Sequence, residues 1–245
     1  MPTKFKLTTA KGLKSEIYVP ITPKPVWTPL TKPLSECKVA FITSGGIHKK
    51  DQTPFNTAGD WSYREIPSDT PSDELMVTHG GFDNSDINKD VNAMLPIDRL
   101  RELVKEGFIG SLVPTFFGFM GGGGNVDKFE HVTGPEIARK LKAEGADIVL
   151  ATGGCGTCHR SCTLVLRCCE AEGMSTCIIA ALPPIARQQG APRITAPLVP
   201  IGSNAGEPNN PTMQMGILKD TLNAMEEFDH FGQMKALPYE YRHNV

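Results

Sequence analysis

The sequence contains no apolar run of the length that a membrane-spanning helix needs. Its first 20 residues also lack the apolar centre of a secretory signal peptide. The formal net charge is only -2, which gives no electrostatic reason to expect nucleic acid or an anionic membrane as a partner. From what is missing, we expect a cytoplasmic protein that binds neither membranes nor nucleic acids.

Cysteine, by contrast, is plentiful and unevenly distributed. The chain has seven cysteines, and six of them lie from position 155 to position 177. A secreted disulfide framework would spread its cysteines along the chain, so this cluster indicates thiol chemistry or a metal. Four of the six fall at packing positions of a predicted helix and strand, where free cysteine is a common core residue. These four are Cys162, Cys168, Cys169 and Cys177.

Strand-like and helix-like patterns alternate from Cys37 onward. They predict an α/β fold with a mostly parallel sheet and flanking helices, in Rossmann-like layers. The predicted strands are 38–43, 109–119, 147–152, 176–182 and 194–200, and the predicted helices are 96–106, 133–145, 160–172 and one that begins near 211. The second helix is expected to begin with the capping box Thr133-Gly-Pro-Glu136.

Two segments do not follow this alternation. Residues 1–36 carry prolines at positions 20, 23, 25, 29 and 33, which predicts an extended arm that packs on its own domain or on a neighbouring chain. Residues 37–245 form the single α/β domain, and their polar, turn-rich segment 51–94 is expected to be an inserted hairpin or functional loop. The apolar arm residues that we expect to be buried are Ile17, Val19, Ile21, Val26 and Trp27.

The segment Gly-Gly-Cys155-Gly-Thr-Cys158-His-Arg follows a predicted strand and precedes a predicted helix. In a parallel sheet this is the end at which ligands bind. The amino end of the helix, together with His159 and Arg160, would favour a thiolate at Cys155. Cys158, three residues further on, is a candidate resolving thiol that can form a disulfide with Cys155. We therefore interpret Cys155 as a nucleophile.

The same segment allows other interpretations. The pattern C-x-x-C-H is also the attachment signal of c-type haem, although haem attachment normally accompanies export. Cys155, Cys158 and His159 could supply three zinc ligands, but a structural zinc site needs four and no second C-x-x-C is present. We expect no metal.

Three further groups of polar or flexible residues are weaker candidates. The glycine run fits neither a dinucleotide fingerprint nor a P-loop, and is interpreted as a flexible loop near the substrate. The segment from His79 to Asp83, with Asp86, has loose metal-ligand spacing but is expected to be a solvated polar loop. Asn204 and Glu207 could bind a polar ligand or only cap the last helix. The run consists of Gly121, Gly122, Gly123 and Gly124.

The chain resembles the selenocysteine-bearing subunits of D-proline reductase and of the glycine, sarcosine and betaine reductases, the selenoprotein B family. The resemblance runs nearly from end to end and is far more specific than the C-x-x-C pattern alone. The segments that carry it are LKSEIYVPITPKPVWTP, MVTHGGFDNSDINKDVN, PIDRLRELVKEGFI, GFMGGGG, GCGTCHRS, IIAALPPIARQQGAPR, APLVPIGSNAGEPNNPTMQMGILKDTL and LPYEY.

The resemblance implies an oxidoreductase of amino-acid fermentation, the Stickland reaction, which opens the ring of D-proline to give 5-aminovalerate. It implies selenocysteine at the position that Cys155 occupies in this chain. It further implies a partner subunit whose pyruvoyl group binds the amine and draws electrons from the α-carbon. Cys158 would release the product by forming a disulfide with Cys155, and a cellular dithiol donor would reduce that disulfide again.

Two other functions remain open from the residues alone. A cofactor-independent amino-acid racemase places one cysteine at each of two strand ends, and here Cys155 is the one cysteine that sits cleanly at such a position. A non-enzymatic scaffold subunit would use its thiols only for packing or for binding zinc. Composition and periodicity reach no further than an α/β protein with a reactive cysteine.

Overall fold

The computed structural model describes residues 24–241 and, as backbone, the short strands β1 (Phe5–Lys6) and β2 (Ile17–Tyr18), which pair antiparallel. The expected burial of Ile17, Val19 and Ile21 lies outside the described side chains. Within the part that is described, no helix is long and apolar enough to span a membrane.

A mostly parallel sheet forms the centre of the molecule, which confirms the predicted fold class. From one edge to the other its order is β12-β11-β10-β9-β3-β8-β5, with β7 beside the start of β3, and β5 alone runs antiparallel. A second, small sheet pairs β4 with β6. The strands are β3 (Lys38–Thr43), β4 (Ile47–Lys49), β5 (Tyr63–Pro67), β6 (Leu75–Val77), β7 (Ser111–Leu112), β8 (Thr115–Phe119), β9 (Ile148–Thr152), β10 (Ser175–Ile179), β11 (Arg193–Leu198) and β12 (Gln233–Glu240).

Helices cover both faces of this sheet, so its central strands are buried on both sides and are almost wholly apolar. Helices α4, α5 and α6 pack together on one face, and α2 and α7 pack on the other. The helices are α1 (Ser85–Lys89), α2 (Ile97–Lys105), α3 (Val126–Lys128), α4 (Gly134–Ala143), α5 (Gly156–Ala171), α6 (Pro183–Gln189) and α7 (Pro211–Glu227).

The connections around β3 bring two loops together at the carboxyl end of the sheet. The chain leaves β3 through α2 and enters β8 on one side, and it then returns through α4 to β9 on the other side. The loops that follow these neighbouring strands meet there, because the Gly154 amide donates to Ser44 Oγ (3.3 Å) and Ser44 Oγ donates to the carbonyl of Cys158 (2.9 Å). One loop is Ser44-Gly45-Gly46, and the other contains Cys155.

Several element boundaries differ from those expected. Helix α5 begins at Gly156, not near 160, because Cys155 is extended (φ -70°, ψ -174°) and serves as its N-cap residue. The prediction of a capping box at Thr133 is wrong. Thr133 has helical dihedrals at the end of a π-helical turn (Phe129–Thr133), and its hydroxyl donates to the carbonyl of Trp61. The single strand expected at 109–119 is two strands, β7 and β8, separated at Pro114, which has no amide N–H.

The polar segment 51–94 contributes to the sheet and to the loops at its carboxyl end. Its strand β5 forms the antiparallel edge of the main sheet, and its strand β6 pairs with β4. Immediately after β6, the chain turns over the carboxyl end of the main sheet at Thr78–Asp83, where Gly154 lies against the ring of Phe82. This insert therefore brings residues to the Cys155 loop from a distant part of the sequence.

The described end of the arm packs on its own domain at the opposite, amino end of the sheet. The ring of the half-buried Trp27 lies 3.6 Å from the guanidinium carbon of Arg193. Arg193 and Glu170 form a fully buried ion pair of 2.6 Å. Thr28 joins both partners, because its carbonyl accepts from Arg193 (2.6 Å) and its amide and hydroxyl donate to Glu170.

Candidate active site

Two sulfur atoms form the centre of the site. Cys155 stands at the amino end of α5, and Cys158 lies in the first turn of the same helix, so the helix geometry turns both side chains to one side. The two Sγ atoms are 2.9 Å apart, and both cysteines are free thiols. Cys155 is half-buried, whereas Cys158 is fully buried. The structure thus brings together the two cysteines that the sequence singled out.

The pKa values of the two thiols are shifted in opposite directions. The pKa of Cys155 is lowered to about 4, most of all by the hydrogen bond from the Cys158 side chain and, against the effect of burial, also by the His79 ring and the Cys158 amide. Burial, followed by the hydrogen bond to Cys155, raises the pKa of Cys158 well above its ordinary value. At neutral pH Cys155 is therefore a thiolate that accepts a hydrogen bond from the Cys158 thiol.

His79 is the third member of the site, although its segment, which has loose metal-ligand spacing, was expected from the sequence to be a solvated polar loop. Its Nε2 lies 2.9 Å from the Sγ of Cys158, and its ring packs on Phe82 with the ring centroids 4.6 Å apart. The expectation of a solvated loop is wrong at His79, because this side chain is only 6% exposed. The signal that could have found it is the run Gly80-Gly81 directly after the histidine, since paired glycines allow two backbones to approach closely.

Glycine is required where the loops of the site touch. A Cβ atom on Gly154 would lie 2.9 Å from the ring of Phe82 and 3.0 Å from the carbonyl oxygen of Ser44. A Cβ atom on Gly121 would lie 2.9 Å from the Cα of Cys158. Of the predicted glycine loop, Gly121 and Gly122 are buried beside Cys158 and His79, whereas Gly123 and Gly124 are exposed.

His159 does not face the sulfur atoms. Its Nδ1–H donates to the carbonyl of Cys155 (2.9 Å), and its Nε2 accepts from the amide of Leu182 (3.1 Å). Burial lowers its pKa, so these contacts favour a neutral ring that fixes the loop and not the positive charge expected from the sequence. Arg160 follows on the same turn of α5 and is half-buried.

Asn204 and Glu207 take different places. The side-chain amide of Asn204 is buried and donates to the carbonyls of Gly153 (3.0 Å) and Ile179 (3.1 Å), so it joins the loops that follow β9 and β10. Glu207 accepts a hydrogen bond from Asn210, and Asn210 in turn caps α7. Asn204 therefore supports the Cys155 loop, and Glu207 belongs to the start of the last helix.

A soft metal ion could also use this site. The ligand atoms of His79, Cys155 and Cys158 all lie within 4.8 Å of one another. They are three ligands, one fewer than a structural zinc site needs, and no other acidic, cysteine or histidine side chain among residues 24–241 joins them. The histidine of this set is His79, not the His159 that the sequence suggested.

Comparison with known proteins identifies the family. The model of the glycine/sarcosine/betaine reductase selenoprotein B family matches residues 6–154, more than half of the chain. The chain belongs to this selenoprotein B family. It is 58% identical to the D-proline reductase subunit gamma of Acetoanaerobium sticklandii over 96% of its own length and 97% of that protein.

Other members of the selenoprotein B family are more distant and longer. The glycine reductase complex component B subunit gamma of Carboxydothermus hydrogenoformans is 33% identical, and the sarcosine reductase complex component B subunit beta of Peptoclostridium acidaminophilum is 30% identical. The chain spans 50% and 45% of these two proteins, whereas it spans nearly all of the D-proline reductase subunit. No solved structure matches the chain.

Proposed function

We propose that this member of the selenoprotein B family is the redox-active subunit of a D-proline reductase and that it opens the ring of D-proline to give 5-aminovalerate. The comparisons support a role in a reductase complex, since the named relatives are subunits or components of such reductases. The observation that carries the proposal is the pair formed by a half-buried Cys155 thiolate and a buried Cys158 thiol 2.9 Å away.

The first step uses the thiolate. Cys155 Sγ attacks the α-carbon of D-proline, a carbon–sulfur bond forms, and the ring carbon–nitrogen bond breaks. The electron pair of that bond goes to nitrogen, which also takes a proton. A pyruvoyl group on a partner subunit would supply the electron sink that activates the α-carbon. Attack requires the sulfur to be held about 3 Å from that carbon, and the half-exposed position of Cys155 leaves one side open to a substrate.

The second step uses the buried thiol. Cys158, after losing its proton, attacks Cys155 Sγ, so that a disulfide forms and the carbon–sulfur bond breaks. The carbon takes the electron pair and a proton, which completes the two-electron reduction of the substrate. A dithiol donor then reduces the Cys155–Cys158 disulfide by thiol–disulfide exchange. The 2.9 Å spacing means that this disulfide needs only a small movement of the two side chains.

The residue at position 155 affects the rate of both steps. The family resemblance implies selenocysteine there, and a selenolate is both a better nucleophile and a better leaving group than a thiolate. The hydrogen bonds around Cys155 already lower its pKa to about 4, so the thiolate form is fully populated at neutral pH. We expect the cysteine protein to be slower than its selenocysteine counterpart because of intrinsic reactivity, not because of protonation.

The decisive experiment follows single turnovers of D-proline with the pyruvoyl-containing partner subunit present. Cys155→Ala should abolish reduction, and Cys158→Ala should allow the first attack but accumulate an adduct on Cys155 that intact mass spectrometry detects. Cys168→Ala is the matched control, because Cys168 is also half-buried but lies elsewhere on α5. Normal turnover by Cys155→Ala, or reduction without any partner subunit, would contradict the proposal.

The geometry does not favour the racemase alternative. A two-base racemase needs one group on each side of the α-carbon, whereas the two sulfur atoms here are adjacent on one helical turn. Incubation of the chain alone with D-proline in deuterated water tests this point, because a racemase would incorporate deuterium at the α-carbon. A zinc-binding scaffold would instead show stoichiometric zinc in the purified protein and thiols that do not react with alkylating agents.

A further inference from the structure

The resolving thiol must change its protonation state in an environment that opposes the change. In the resting site Cys158 keeps its proton, and its S–H group donates a hydrogen bond to the Cys155 thiolate. To attack Cys155 it must become a thiolate itself, yet it is fully buried and water cannot solvate the new charge. A hydrogen-bond donor that points at Cys158 Sγ is therefore needed at this moment.

His79 has the geometry of such a donor. The amide N–H of Gly81 donates to Nδ1 of the ring at 2.9 Å, so Nδ1 is the acceptor nitrogen and the ring proton is carried by Nε2. Nε2 is the atom that lies 2.9 Å from Cys158 Sγ. The side chain of Asn84 donates to the carbonyl of His79 (2.7 Å), and the ring of Phe82 packs on the imidazole. These contacts fix one ring orientation and one tautomer.

We propose that His79 is a catalytic residue that stabilises the Cys158 thiolate through its Nε2–H while Cys158 forms the disulfide with Cys155. It acts as a neutral hydrogen-bond donor and not as a base. To accept a proton, the ring would have to use Nδ1, which would place two N–H donors, those of His79 and Gly81, against each other. The proton of Cys158 therefore leaves to solvent or to the departing group, and His79 keeps its own.

The timing follows from the change on Cys155. While Cys155 is a thiolate, its charge and its hydrogen bond keep the proton on Cys158. Once Cys155 carries a substituent it is neutral, both of these effects vanish, and the donor at His79 becomes the nearest group that prefers a charged Cys158. Formation of the covalent adduct on Cys155 thus favours the thiolate of Cys158, which can then attack. The two thiols therefore do not compete as nucleophiles.

The sulfur chemistry can be tested without D-proline or the partner subunit, by using the aryl disulfide of thionitrobenzoate, whose released aryl thiolate is coloured. Cys155 thiolate attacks this reagent, a mixed disulfide forms, and one aryl thiolate leaves. Cys158 then loses its proton to the buffer and attacks Cys155 Sγ. The protein disulfide forms, the mixed disulfide breaks, and a second aryl thiolate leaves. The two releases report the two thiols separately when they are followed by stopped-flow absorbance.

His79→Phe should slow the second release about 10- to 100-fold, the range expected when a hydrogen bond to a charged group is lost. The first release should change less, because the hydrogen bond from Cys158, which lowers the pKa of Cys155 more than the His79 ring does, is kept. His79→Gln retains a side-chain N–H donor of similar reach and should restore most of the second rate. All variants carry Cys168→Ala, which removes the other half-buried thiol.

Cys158→Ala defines the second release by abolishing it, and His131→Gln, a change at an exposed histidine, should alter neither release. Equal slowing of both releases by His79→Phe, or an unchanged second release in the folded variant, would overturn the proposal. So would a folded His79→Gln that is as slow as the phenylalanine variant. The inference rests on the proposed function only for its place in D-proline reduction. Failure of that function with a normal second release would leave the role of His79 intact.

Discussion

The two ends of the central sheet handle buried charge in opposite ways. At the amino end, Glu170 and Arg193 form a fully buried ion pair, and Thr28 and Thr176 donate further hydrogen bonds to the carboxylate. At the carboxyl end, the Cys155 thiolate is half-exposed, and its pKa is lowered by hydrogen bonds from Cys158 and by the His79 ring. The buried Glu170 carboxylate is satisfied by its ion pair and hydrogen bonds, so it stabilises the structure. The half-exposed Cys155 thiolate is accessible from solvent, so it can react.

The comparison predicts that stability and reactivity can be changed separately. Removing a group at the amino end should unfold the protein more easily and leave Cys155 as reactive as before. Removing a group at the carboxyl end should change the chemistry of Cys155 and leave the free energy of unfolding nearly unchanged. If removal of a group at one end changed both properties, the two ends would be coupled through the sheet.

The largest effect is expected for Arg193→Met, which leaves Glu170 buried without its partner. Loss of one member of a buried ion pair typically destabilises a protein by about 3–5 kcal/mol. Denaturant unfolding followed by circular dichroism measures this change, and the rate of Cys155 alkylation should stay the same. The double variant Arg193→Met/Glu170→Gln is the control, because it removes both charges and should recover part of the lost stability. No recovery would mean that packing, not charge, dominates this end.

The second prediction concerns the pH dependence of the thiolate. Because the pKa of Cys155 is about 4, its alkylation by iodoacetamide should be nearly independent of pH between pH 6 and 8 and should fall as the pH drops through 4. An ordinary cysteine, with a pKa of about 8.5, would instead gain roughly tenfold in rate per pH unit across this range. Peptide mapping by mass spectrometry assigns the alkylated residue.

Cys158→Ala removes the largest cause of the lowered pKa, so the alkylation profile of Cys155 should shift to higher pH in this variant. At pH 6 we expect a loss in rate of about tenfold or more, since each pH unit below the new pKa lowers the thiolate fraction tenfold. Cys158→Ser keeps a hydroxyl donor and should shift the profile less. An unchanged profile in both variants would assign the low pKa to the His79 ring and the helix end, and not to Cys158.

The fold was largely predictable because the buried strands and their helices carry strong local patterns. Strands β3 and β9 were expected within one residue of their observed bounds, and the Cys155 loop was placed correctly between β9 and α5. The start of α5 was missed because Gly156 is a poor helix former whose place in the first turn depends on the N-cap residue Cys155 and on tertiary packing. Helix α6 and strand β12 were not predicted at all.

The missing parts of the site depend on contacts that are distant in sequence. His79 and Cys158 are 79 positions apart, and they meet only because β6 pairs with β4 and turns the following loop over the sheet. The ion pair of Glu170 and Arg193 is equally hidden, because charged residues are mostly exposed and nothing in their spacing marks them as buried partners. Local patterns therefore singled out the two cysteines as candidates, but they did not predict the contact with His79 or the buried ion pair.

A further prediction tests how tightly the loops at the carboxyl end of the sheet are packed. Gly154→Ala would place a Cβ atom 2.9 Å from the ring of Phe82 and 3.0 Å from the carbonyl of Ser44. We expect a destabilisation of about 1–3 kcal/mol, as for overpacking in a core, together with slower alkylation of Cys155. Gly156→Ala is the control, since its Cβ atom would meet only Ile185 at 3.3 Å, and it should be neutral or stabilising. Equal effects of the two substitutions would contradict the assigned contact.

The smallest effect is expected where the arm packs on the amino end of the sheet. Trp27 lies over the buried guanidinium of Arg193 at 3.6 Å, whereas Trp61 is 45% exposed and its ring is 5.9 Å from the amine of Lys128. A cation–π contact is worth about 0.5–1 kcal/mol at exposed sites and about 2 kcal/mol when desolvated. Trp27→Leu should therefore lower the free energy of unfolding by about 1–2 kcal/mol, and Trp61→Leu by about 0.5 kcal/mol or less. Denaturant titration of both variants checks the difference. If Trp61→Leu were as destabilising as Trp27→Leu, the arm would add no more than an ordinary surface contact, and the stability of the amino end would rest on the ion pair alone.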